Sequence, residues 1–99
     1  MAKKIIWSEN SQNDLFDILD YWLQAIGDKK YPTKLNDEIQ KTIKLIKIFP
    51  EIGKKYDELE IRFLIKDNYQ IFYDINETEI HILHIWDSRR DKNDMTFQR

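Results

Sequence analysis

The apolar residues of the chain change period once, dividing it into a helical first half and a stranded second half. Lys4-Ile5-Ile6-Trp7 is short, β-branched and aromatic, the composition of a strand. Leu15, Ile18, Leu19, Trp22 and Ile26 then fall at i, i+3, i+4, i+7 and i+11, which is one helical stripe. Ser8 stands where an N-cap accepts from the free first-turn amides, and Glu9 puts an anion at the positive end of the helix. Gly27 follows the last apolar position, where a left-handed residue ends a helix. A second helix opens near Pro32, whose missing N–H costs nothing in a first turn. It carries Leu35, Ile39, Ile43 and Ile46 on one side and closes at Phe49-Pro50, because the residue before a proline leaves the helical region. Two helices with a short connection and one stripe each predict an antiparallel hairpin.

After Gly53 the period becomes two. Ile61, Phe63 and Ile65 alternate with Glu60, Arg62, Leu64 and Lys66, so one apolar face is expected beneath Ile61, Phe63 and Ile65 and a mixed one beneath the others. Asp67-Asn68 reads as a two-residue turn, and Tyr69, Ile71, Tyr73 and Ile75 alternate with Gln70, Phe72 and Asp74. After a turn at Asn76-Glu77, Ile80 to Trp86 is apolar on both faces, which predicts a central strand flanked by the first and the third. The order is β-α-α-β-β-β: an α+β fold, a helical hairpin packed on an antiparallel sheet, in one domain spanning residues 1–99.

Composition narrows the chemistry. The 99 residues set an expectation of one core, and the 13% aromatic content offsets a modest hydrophobic fraction of 41%. There is no cysteine, so a disulfide framework and thiolate metal sites are excluded, as suits a reducing cytoplasm. The basic N-terminus is followed by three apolar residues, against the roughly 7–15 of a signal peptide and about 20 of a membrane span. A net charge of −2 argues against a molecule that binds nucleic acid through its overall field, although the 16 Lys and Arg are unevenly spaced and leave room for a local basic patch.

The order and spacing of several pieces resemble the ParE/RelE toxin superfamily over nearly the whole chain. They are Ile-Trp-Ser-Glu at 6–9, the Leu15, Ile18, Tyr21, Trp22 pattern, Leu45 to Gly53 ending Phe-Pro-x-Ile-Gly, Ile61 to Leu64, Tyr69 to Tyr73, and Ile82 to Asp91. The resemblance implies a type II toxin neutralised by a cognate antitoxin. In the ParE branch the target is DNA gyrase; in the RelE branch messenger RNA is cut on the ribosome. No cofactor, metal or membrane partner is expected from the residues.

RNA cleavage through a 2′-hydroxyl requires a base, cations for the phosphate charge and an acid for the leaving oxygen. Arg62 matches the early-strand arginine of RelE-like nucleases, and alternation aims it at the open face of the sheet, where it suits a phosphate or a carboxylate. Arg89 and Arg90 match an arginine pair at the end of the last strand, and Lys54 and Lys55 match lysines in the loop before the second. Each has an ordinary reading as a solvated cation. The expected tail tyrosine is absent: Met95 and Phe97 occupy that stretch, and Asp87 stands where many members carry histidine. His81 and His84 lie three apart on a strand, one expected on each face, so they are poorly placed to share a metal. Glu58 and Glu60 are the remaining candidate bases. The expectation is a ParE-like toxin that binds a protein target, with Arg62, Arg89, Arg90, Lys54 and Lys55 as partner-binding residues. A RelE-like endoribonuclease using Arg62, His84, Arg89 and Arg90, and a degenerate antitoxin-binding homologue, stand as alternatives.

Overall fold

A computed structural model describes residues 3–56, 58 and 60–97. Strand β1 (Lys4–Trp7) leads into helix α1 (Glu9–Ile26) and helix α2 (Lys30–Ile48). Strands β2 (Lys54–Lys55), β3 (Ile61–Lys66), β4 (Tyr69–Ile75) and β5 (Glu79–Asp87) follow, with a single 3₁₀ turn at Lys92–Asp94. The sheet order is β1-β5-β4-β3-β2. Strand β5 is therefore central, between the first strand and the Tyr69–Ile75 strand, as its two apolar faces predict. The expected α+β architecture is present, with two additions. Strand β1 joins β5 in parallel, making the sheet mixed, and Lys54-Lys55 is a two-residue edge strand where a loop was expected.

The helix ends follow the local chemistry. Ser8 accepts from the Ser11 amide at 3.0 Å and caps α1, while Gly27 at φ 85° takes the left-handed position that ends it. The stripe of α1 packs on the sheet through Leu15, Ile18, Leu19 and Trp22. Ile26 does not join it: the last residue of the helix, it is 47% exposed. Leu35, Ile39, Ile43 and Ile46 of α2 are all buried against Ile71, Ile80, Ile82 and Ile85.

The two faces of the sheet are assigned differently from the alternation of β3 alone. The helix-side core takes Leu64 from β3, and Lys66 reaches Glu38 of α2 at 2.5 Å, so Arg62, Leu64 and Lys66 lie beneath the helices. Ile61 and Phe63 instead pack on the outer face with Phe72, Leu83, Trp86 and Met95, and Ile65 is 63% exposed. The reason is that β3 lies near the sheet edge and supplies apolar residues to both faces, so its pattern did not say which one the helices cover. That outer face is not open. Residues 95–97 fold back across it, burying Met95 and stacking Phe97 edge-on to Tyr56.

A register slip shapes β5. Phe72 pairs with His84 but Tyr73 pairs with Ile82, leaving Leu83 without a partner on β4. Without this bulge, His84 would share a face with Ile80 and Ile82. With it, His81 lies opposite Asp74 and His84 opposite Phe72, so both histidines belong to the outer face. Strict alternation had put them on opposite faces; the extra residue is what brings them to the same one.

Candidate functional site

Arg62 is not on an open face. Its guanidinium turns toward the loop after α2 and donates to the carbonyls of Gly53 at 2.7 Å and Glu51 at 3.1 Å. Tyr73, its cross-strand partner, completes this corner: its hydroxyl donates to the Pro50 carbonyl at 2.7 Å and accepts from the Gly53 amide at 2.8 Å. Burial pushes the Tyr73 phenol up, so it stays a donor at neutral pH. Gly53 is required here by space. A Cβ would sit 2.5 Å from the Tyr73 hydroxyl and 2.9 Å from the Phe63 carbonyl. The Phe-Pro-x-Ile-Gly stretch and Arg62 thus form one hydrogen-bonded corner.

Arg89 is also engaged. It clasps Asp87 with Nε at 2.9 Å and Nη2 at 2.6 Å, and this fork holds the Asp87 carboxyl below its ordinary range despite partial burial. Arg90 lies over the Trp86 ring, its guanidinium carbon 4.0 Å from the centroid. Both arginines line a cleft of about 360 Å³ between α1 and the end of β5, together with Asp14, Asp17, Asp87 and Tyr21. Three carboxylates against two guanidinium groups make this cleft a poor home for phosphate.

Arg62 is not brought together with the Arg89-Arg90 pair. Arg62 pairs in the row of Tyr73 and Ile82, whereas Asp87 pairs with Tyr69, opposite Lys66. Four residues along the strand and two strands across put Arg62 and Arg89 roughly 15 Å or more apart. Lys54 and Lys55 are exposed but also divide, because Lys54 pairs with Phe63 and Lys55 with Arg62, on opposite faces. Glu58 and Glu60 are exposed.

His84 is the most constrained titratable group. It is 5% exposed, with Nδ1 2.6 Å from the Asp14 carboxylate and Nε2 donating to the Thr96 carbonyl. Asp14 also accepts from the Ile85 amide at 3.1 Å, and Ser8 donates to the Leu83 carbonyl at 3.0 Å. These two side chains close the edge of β5 beyond the last residue of β1. Burial opposes charge on His84, but the Asp14 and Thr96 hydrogen bonds more than offset it and hold the imidazole pKa above its ordinary value. His81 meets Glu79 at 3.0 Å. Among the described residues, no three His, Cys, Asp or Glu side chains gather as metal ligands.

A feature that residue-by-residue motif reading passed over is charge segregation between the helices. Helix α1 carries Glu9, Asp14, Asp17 and Asp20 and no Lys or Arg, while α2 carries Lys30, Lys34, Lys41, Lys44 and Lys47 against Asp37 and Glu38. Exposed apolar residues lie on both helices, Phe16, Tyr21 and Ile26 on α1 and Leu45 on α2. They continue at the end of α2 and in the loop after it with Ile48, Phe49 and Ile52. The last three line a groove of about 730 Å³ with Lys3, Pro50, Glu51 and Ile75. Counting charge per element would have found this in the sequence.

The family model described as the ParE toxin of type II toxin–antitoxin system, parDE, matches residues 5–92. Among solved structures, a chain of the chromosomal ParDE TA system from P. aeruginosa superposes with a TM-score of 0.74. It is 20% identical, and the match covers 85% of this chain and 94% of that one, so it shows a common fold. No curated protein sequence matches this chain.

Proposed function

This chain belongs to the ParE toxin family of type II toxin–antitoxin systems, and from that premise we propose that it stops growth by binding and poisoning DNA gyrase in the cytoplasm. The observation that carries the reading is the state of the groups a nuclease would need. Arg62 is spent on backbone carbonyls and Arg89 on Asp87, at opposite ends of the sheet. Met95 and Phe97, in the stretch where a proton-donating tyrosine is expected, are packed in the outer cluster. A positioned acid or base is worth roughly a factor of 10²–10⁴, and this tail supplies none at that place. These facts support action through a protein surface over action on a phosphodiester.

A cognate antitoxin is the second partner in this reading. The basic face of α2, with the apolar groove beside it, suits an acidic and hydrophobic segment that orders on binding. Lys54, Lys55 and Arg90 are exposed and add cations at the sheet edge and strand end, while Arg62 and Arg89 would have to exchange their present partners to take part.

Induction in cells carrying an SOS reporter, beside primer extension on translated transcripts, tests the target. The expected result is filamentation and SOS induction with intact messages. Cleavage at codons, abolished by Arg62→Ala, would replace this reading with the ribosome-dependent endoribonuclease. Growth unaffected in both assays would leave an antitoxin-binding protein without toxicity. Co-expression with the product of the adjacent gene is expected to give a stable complex and restore growth.

A further inference from the structure

We propose that His84 is a proton-dependent latch on the C-terminal segment: its doubly protonated ring holds residues 95–97 over the aromatic face of the sheet, and loss of one proton releases them. A neutral imidazole has one N–H and one lone pair, whereas the cation has two N–H groups. Here both neighbours are acceptors, the Asp14 carboxylate at Nδ1 and the Thr96 carbonyl at Nε2. Only the cation satisfies both.

The two contacts are unequal, and this sets what breaks. When one proton leaves, the carboxylate retains the remaining one, because a hydrogen bond to an ionised acceptor is the stronger. Nε2 then turns a lone pair toward the Thr96 carbonyl oxygen, and attraction becomes repulsion. Asp14 is fixed independently by the Ile85 amide, so the ring stays with α1 and the tail is what moves.

The tail has few other ties. Its described backbone bonds at this point are local, from Asp94 to Asp91 and from Met95 to Lys92. Met95 and Phe97 cover Phe72, Phe63 and Tyr56, so release uncovers an aromatic surface. Helix α1 supplies Asp14, which favours the cation, and Arg90 beyond β5 opposes it. Trp86 and Phe97 meet the ring in T-shaped contacts, and Phe72 lies opposite on β4. The next cross-strand pair on this face is Asp74 with His81, and His81 already meets Glu79. The folded ring's pKa lies above its ordinary value. The latch is complete below the ordinary histidine value of about 6.5 and opens as pH rises through the raised value.

The chain has two methionines, Met1 and Met95, so methyl-¹³C methionine labelling gives a direct signal from the tail. It is read beside ¹⁵N spectra of the His84 ring across the pH range. At low pH two ring N–H groups are expected, with the Met95 methyl displaced by its aromatic neighbours. As pH rises, one N–H is lost and the Met95 signal moves toward its free position with the same midpoint. Asp14→Asn lowers that midpoint, and His84→Gln abolishes the Met95 titration. A Met95 signal that stays still while His84 titrates overturns the latch, as does an unchanged midpoint in Asp14→Asn. The wild-type titration and Asp14→Asn decide the matter even if His84→Gln does not fold.

Discussion

The two faces of the sheet are closed by different means. The inner face is mainly aliphatic, built of Ile71, Ile80, Ile82 and Ile85, and two long helices cover it with Leu35, Ile39, Ile43 and Ile46. The outer face is mainly aromatic, built of Phe63, Phe72 and Trp86, and its cover is Tyr56 and a short C-terminal segment carrying Met95 and Phe97. A helix brings its stripe as a unit, so inner contacts support one another. The tail brings two side chains and one backbone carbonyl, bound to His84. The inner face therefore sets the fold, and the outer face is closed conditionally.

Substitutions on the two faces sharpen or break that contrast. Trp22→Ala has the largest expected effect, about 3–5 kcal/mol from a denaturation midpoint, because the ring packs from α1 onto the inner core. It also removes the 2.8 Å bond from the Trp22 indole to the Tyr69 hydroxyl. Ile39→Ala, in the middle of the inner core, is expected to cost about 3 kcal/mol. Met95→Ala on the outer face should cost less, about 2 kcal/mol, since a segment held by local backbone bonds can settle into the space it leaves. Equal losses at Ile39 and Met95 would show that the tail is as integral as the helices. Tyr73→Phe leaves the Gly53 amide and Pro50 carbonyl without their partner and is expected to cost about 1–3 kcal/mol by the same unfolding measurement. Ser8→Ala, which removes the α1 cap and a bond to the β5 edge, should cost about 1 kcal/mol.

The inner face was legible in the sequence because both of its helices have a clean 3.6-residue period. Leu35, Ile39, Ile43 and Ile46 needed only spacing, and Ser8 and Gly27 marked their helix by cap chemistry. The outer face was not legible, for three physical reasons. The tail has no periodicity, so nothing in Met95 or Phe97 announces where it folds. Strand β3 is apolar on both sides, which hid the orientation of Arg62. The bulge at Leu83 is set by tertiary pairing, and a one-residue slip changes the face on which His84 lies. The candidate site suffered most, since Arg62, His84 and Arg89 each depend on a contact from a distant segment or a turn.

In the proposed function, this ParE-family protein acts on a protein target through its surface. The most direct measurement adds the purified protein to DNA gyrase with relaxed plasmid, beside ribosomes carrying a translated message. The expected result is loss of supercoiling with accumulation of gyrase-bound, cleaved DNA, and an intact message. Undisturbed gyrase together with message cut on the ribosome, and protected when Arg62 is replaced by alanine, would contradict it.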